Sequence, residues 1–231
     1  MNTIKPTLGL IINPISGLGG RVGLKGTDTM NVVAMAIELG AKPESPFRAT
    51  TALKEIHIVL KDNIRIVTSP GVMGEIAAIE AGFSPEILPM SIPDSTSADD
   101  TCNAVRLMED LEVELILFAG GDGTARDIYS VIKDRIPVVG IPAGVKMHSA
   151  VYATTPKSAA RLVNSYFHSQ DVNLKDVEVM DIDEEAFRNG QLSASLYGYM
   201  KVPYERRYIQ GAKSGGIESD DSAMLAVANE I

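Results

Sequence analysis

Five short apolar runs do most to limit what this chain can become: Leu8 to Ile12, Ile64 to Thr68, Glu86 to Met90, Val113 to Ala119 and Pro137 to Ile141. Several show no alternation of apolar and polar residues, which suits strands whose two faces are both covered, as in a parallel sheet clothed by helices. The stretches between them carry helical spacing, near Asp28 to Leu39, Thr51 to Leu60, Met73 to Ala81, Asp99 to Leu111 and Thr124 to Asp134. Asp28 and Asp99 are expected as N-caps, and Gly40 and Gly82 stand where glycine ends a helix. Strand alternating with helix predicts an α/β fold with a largely parallel sheet. At 231 residues and 45% hydrophobic content, the chain has the means to bury such a core as one large domain or two small ones.

After Ile141 the rhythm changes. Thr155-Pro156 predicts an N-cap followed by proline at the first position of a helix running toward His168. Two alternating stretches follow, around Val177 and Val179 and again at Leu196, Gly198, Met200 and Val202. The expected organisation is an α/β domain over residues 1–145 and the opening of a β-rich second domain over 146–231. Ser219 to Ile231 has helical composition and leaves those strands with nothing to close against. Open strand edges need cover, so the second domain is expected to be incomplete and the protein to be a homo-oligomer.

A net charge of −9 argues against a surface built for nucleic acid or anionic membrane, so an anionic ligand must be met locally. Cys102 is the only cysteine, which excludes an intrachain disulfide and a multi-cysteine zinc site. No apolar stretch approaches the roughly 18 residues that span a bilayer. A cytoplasmic location is the expectation.

The run Val113 to Ala119 leads directly into Gly120-Gly121-Asp122-Gly123-Thr124, with helical spacing after it. Glycines let a backbone approach a ligand closely, and the free amides at a helix start favour phosphate oxygens. Asp122 is the odd member, because a carboxylate repels phosphate unless it has another task. It can bind a metal, accept a proton from an attacking hydroxyl, or hold the loop as a cap. A tight β-to-α turn with a capping aspartate explains a bare Gly-Asp-Gly equally well.

The full five residues after an apolar strand resemble the signature of the NAD kinase and diacylglycerol/sphingosine lipid kinase superfamily. Asn13-Pro14-Ile15-Ser16-Gly17 is similar to the turn those proteins use near the nucleotide, and Pro137 to Gly144 is similar to the strand and loop after their signature. Ala125-Arg126-Asp127-Ile128, Ile141 to Ser149 and Asp181 to Glu185 look like segments of the predicted ATP-NAD kinase group that includes the AcoX-type proteins. The likeness covers essentially the whole chain. It implies a Rossmann-like parallel sheet with flanking helices followed by a β-sandwich-like domain. It also implies transfer of phosphate from ATP or polyphosphate, with magnesium, to the 2′-hydroxyl of NAD as acceptor, giving NADP.

By the same resemblance Asp122 is the catalytic base. The nucleotide-binding set is Asn13, Ser16, Gly17, Gly120, Gly121, Gly123, Thr124, Pro142, Gly144 and Lys146. Mainstream NAD kinases carry a Gly-rich loop followed by Phe-Leu where this chain has Lys146-Met147-His148, and an Asn-Glu pair that residues 146–231 do not show. A non-catalytic nucleotide-binding accessory or sensor protein is therefore the alternative expectation.

Other features admit two readings each. Thr96 and Ser97 open a helix with hydroxyls suited to a sugar or phosphate, and capping explains them as well. Gly17-Leu18-Gly19-Gly20-Arg21-Val22-Gly23 has the wrong spacing for a dinucleotide fingerprint, since Val22 stands where the third glycine belongs. Lys146 is placed to neutralise phosphate as a point cation. Asp181, Asp183, Glu184 and Glu185 lack EF-hand spacing and read as a solvated strand end. No protein-held metal site is expected.

Overall fold

The computed structural model describes residues 5–18, 43–144, 147–169, 172–182 and 194–210. The expected helix at 28–39, the Gly-rich stretch from Gly19 to Gly23, Lys146, the acidic residues 183–185 and the segment 219–231 lie outside them.

Four of the five apolar runs become strands near their expected limits: β1 Thr7–Ile12, β2 Arg65–Thr68, β4 Leu115–Gly120 and β5 Val138–Pro142. The fifth, β3, is only Glu86–Ile87 and is exposed. All five pair in parallel in the order β3-β2-β1-β4-β5. Every residue of β1, β4 and β5 is buried, as unalternating runs require.

The described helices are α1 Ser45–Leu60, α2 Glu75–Glu80, α3 Ala98–Asp110, α4 Asp122–Ile132 and α5 Pro156–His168. Helix α1 begins six residues before Thr51, because Pro46 sits in its first turn, where a missing N–H costs nothing. The stretch expected as one helix from Met73 opens instead as a 3-10 turn, Gly71–Met73, and restarts at Glu75 after Gly74 at φ +155°. Ser97 precedes α3 as its N-cap, and Asp99 falls in the first turn. Gly82, at φ +96°, follows α2 as the ending glycine expected there. Thr155 caps α5 as expected, its Oγ1 accepting from the Ser158 amide at 3.0 Å.

Right-handed crossovers put α1 and α2, which lead from β1 outward to β3, on one sheet face and α3 and α4 on the other. The contacts agree: α1 packs on α2 and α5, and α3 packs on α4. A two-stranded antiparallel sheet, β6 Leu174–Ile182 with β7 Ala194–Pro203, lies against α4 and β5. Val177, Val179, Met200 and Val202 join the same buried cluster as Leu8, Phe118 and Ile141. The alternation read through Leu196 does not reach back to the start of β7: Leu196 is 51% exposed. A register shift between Val179 and Met180 breaks the period of two before Leu196 is reached. Among the described residues no helix is long and apolar enough to cross a membrane.

Candidate functional site

The chain leaves β1 for β2 and β3 in one direction and returns to β4 and β5 on the other side. The carboxyl ends of β1 and β4 therefore flank the point where the winding reverses, the place where sheets of this kind open a crevice for ligands. Two of the sequence motifs meet there. Asn13 follows β1 and Gly120-Gly121 ends β4, and the Asn13 Nδ2 donates to Thr124 Oγ1 at 3.0 Å across the reversal. Asn13 also shapes its own turn, its Oδ1 accepting from the Ile15 amide at 3.2 Å.

No loop separates β4 from its helix. Gly121 is the N-cap of α4, in extended backbone, and Asp122 is already the first helical residue. Gly123 and Thr124 therefore sit in the first turn, where backbone amides lack intrahelical partners. A β-carbon on Gly120 would overlap the Thr124 side chain, at 2.5 Å from its Oγ1, so this strand end can lie against the helix only as glycine.

Asp122 is 7% exposed, and its two oxygens are engaged: Oδ2 accepts from the His148 amide at 2.7 Å and Oδ1 from the Ser149 amide at 3.0 Å. The carboxylate thus caps a turn 26 residues downstream. Ser149 passes the connection on, its hydroxyl donating to the Met180 carbonyl at 2.7 Å and accepting from the Met180 amide at 3.0 Å on β6.

Tyr152 is a site residue that the sequence reading missed. Wholly buried, it sets its ring edge-on to Phe118 and donates its phenol to the Gly121 carbonyl at 2.6 Å. Burial pushes this phenol well above the usual tyrosine range, and the nearby charges of Asp122 and Asp181 push it further. It stays a donor to the Gly121 carbonyl. The available signal was a lone tyrosine in the run Ser149 to Ala153, because a buried phenol needs a partner.

The other expected residues fall as follows. Ser16 is buried, its carbonyl accepting from the Ser45 hydroxyl at 2.9 Å. Gly17 has φ +86°, and a β-carbon there would stand 2.2 Å from the Ala143 carbonyl oxygen. Pro142 ends β5 and its carbonyl accepts from Arg48 at 2.9 Å, while Gly144 is half-buried just beyond. These residues gather around the ends of β1, β4 and β5. Thr96 and Ser97 stand at the start of α3, which runs beside α4 with Cys102 facing Asp127 and Ser130, and the Ser97 amide and hydroxyl both donate to Asp100, at 2.8 and 2.9 Å.

The model of the ATP-NAD kinase N-terminal domain matches residues 8–172, which takes in both motifs and the turn held by Asp122. The chain belongs to the ATP-NAD kinase family. No curated protein matches it. Among solved structures it is similar to proteins from Bacillus anthracis str. Sterne described as diacylglycerol kinases, one of them provisionally. One match is 15% identical with TM-score 0.41, over 78% of this chain and 46% of that one. Another is 16% identical with TM-score 0.39, over 79% and 45%. YcaC from Pseudomonas aeruginosa matches at 13% identity and TM-score 0.33, over 73% and 77%. The chain spans less than half the length of the diacylglycerol kinases.

Proposed function

We propose that this member of the family handles the nucleotide in a kinase that phosphorylates the 2′-hydroxyl of NAD, with ATP or polyphosphate as donor. The terminal phosphoryl group leaves the donor's anhydride oxygen and bonds to the hydroxyl oxygen, whose proton passes to Asp122. The observation that carries the reading is the first turn of α4. It lies at the winding reversal, with glycines at three of its five signature positions and a buried carboxylate in its midst.

Each carboxylate oxygen has two acceptor sites, so the amides of His148 and Ser149 leave Asp122 able to receive a hydroxyl while they fix its orientation. Positioning of this kind supplies most of the catalysis in phosphoryl transfer. Magnesium fits as an ion carried in by the phosphates, whose charge it neutralises. Such an ion takes one or two carboxylates and otherwise uses phosphate and water oxygens. Asp122 is the carboxylate within the loop and Asp181 stands beside Gly123, while among the described residues no three His, Cys, Asp or Glu side chains gather into a metal cage.

The test is formation of NADP from NAD by the full-length protein with magnesium and either donor. No product with either one sinks the NAD kinase assignment. A second reading, nucleotide binding without transfer, draws support from the fact that both Asp122 oxygens already hold backbone amides. Calorimetric binding of NAD or ATP with no turnover would favour it.

A further inference from the structure

Arg126 lies four residues after Asp122, and its guanidinium sits beside the open end of α4. Its Nη2 is 3.9 Å from where a β-carbon of Gly123 would be, and Asp181 Oδ2 is 3.8 Å from the same point. Because Cα–Cβ bonds tilt toward a helix's N-terminus, a group in that position stands toward the unpaired amides. With any side chain at residue 123, the space would be filled. The guanidinium donates through Nη1 to Asp181 Oδ2 at 2.8 Å, lies 3.5 Å from Asp127 Oδ1, and faces the Tyr197 ring at 5.8 Å.

We propose that Arg126 binds a phosphate group of the nucleotide at the first turn of α4, with Asp181 holding the guanidinium there until the ligand arrives. This rests on the reading of the loop as a nucleotide site, and it adds the cation that the loop itself lacks. Asp181 and Asp127 stand beside the guanidinium on a chain of net charge −9, and the arginine offsets the repulsion they present to an incoming phosphate. The Arg126 side chain is 36% exposed, within reach of a ligand. Its partner Asp181 is 17% exposed, so the pair is half-buried, and the exchange is favourable because a doubly charged phosphate attracts the guanidinium more strongly than one carboxylate does. The planar fork of arginine matches phosphate oxygens in pairs, which a lysine cannot do.

ATP and NAD both bring phosphates, and separate titrations tell them apart. Wild type, Arg126→Gln, Arg126→Lys and Asp181→Asn are titrated with magnesium–ATP, NAD, inorganic tripolyphosphate and adenosine. Unfolding midpoints are recorded alongside. The expected result is a loss of about tenfold or more for Arg126→Gln toward at least one phosphate-bearing ligand, partial recovery in Arg126→Lys, and unchanged adenosine binding. Asp181→Asn is expected to keep phosphate binding within a few-fold of wild type or to strengthen it. Whichever of ATP and NAD loses affinity identifies the phosphate that Arg126 meets.

If Arg126→Gln binds every ligand as wild type does, while its unfolding midpoint falls as that of Asp181→Asn does, Arg126 is only a latch between α4 and β6 and the proposal is overturned. If wild type binds none of the phosphate-bearing ligands, the nucleotide-site reading fails and the proposal with it.

Discussion

Replacing Asp122 with asparagine separates the cap it forms from the base it is proposed to be. The side chain keeps its shape but exchanges one acceptor oxygen for an NH2 group, so that either the His148 or the Ser149 amide meets a donor in a buried position. One hydrogen bond to a charged acceptor is lost and the other continues to a neutral one. Hydrogen bonds to charged groups contribute about 1.5–3 kcal/mol, and a buried amide left unpaired costs about as much as the lost bond. A net destabilisation of about 2–3 kcal/mol follows for Asp122→Asn. In a protein of this size each kcal/mol moves the midpoint by roughly 2–4 °C, so a fall of about 5–10 °C is expected. Urea and thermal unfolding followed by circular dichroism read the first effect, and turnover below the unfolding range reads the second. An unchanged midpoint would refute the capping role drawn from the two short contacts. Normal turnover in a folded variant would show that the aspartate is a cap and not a base.

Tyr152→Phe strips the donor from the Gly121 carbonyl and should destabilise the protein by about 1–2 kcal/mol, measured by urea unfolding. The same substitution should flatten alkaline unfolding. The folded phenol's pKa is raised above its unfolded value, so its stabilisation is intact below about pH 10 and lost as pH climbs through the folded pKa. Wild type should therefore weaken more steeply than the variant above that pH. Gly17→Ala forces a left-handed backbone on alanine and drives its β-carbon onto the Ala143 carbonyl. Destabilisation of at least about 1–3 kcal/mol in chemical unfolding is expected. Asn13→Ala removes the bond to Thr124 and the bond that shapes its own turn. Nucleotide affinity by calorimetry should fall further than in Thr124→Val, which loses only the first.

Much of this architecture was legible because unalternating runs such as Leu115 to Ala119 have few other homes than the middle of a covered sheet. Thr155-Pro156 marked its helix to the residue, since cap and proline act on adjacent positions. At α1 the N-cap is Glu44 with no side-chain cap bond, and Ser45 already lies inside the helix with its hydroxyl donating to the Ser16 carbonyl, so no such pair marks the start six residues before Thr51. At the site the sequence offered three tasks for Asp122 but could not show its partners. They are backbone amides 26 and 27 residues away, and an amide has no side chain to mark it. Tyr152 was hidden for the same reason, since its phenol reaches a backbone carbonyl 31 residues back, and Arg126 was hidden because the carboxylate it meets lies 55 residues on.

The bond from Asn13 to Thr124 spans 111 residues, and this bears on how the protein is made. Strand β1 leaves the ribosome early and can pair at once with β2, but its other edge waits for β4. Through that interval a buried, largely apolar central strand presents a bare row of amides and carbonyls to anything extended nearby, and the turn at Gly120 to Thr124 is not yet made. Slow synthesis across residues 69–114 would therefore endanger the half-finished sheet more than the same delay after residue 142, when β5 has closed the row.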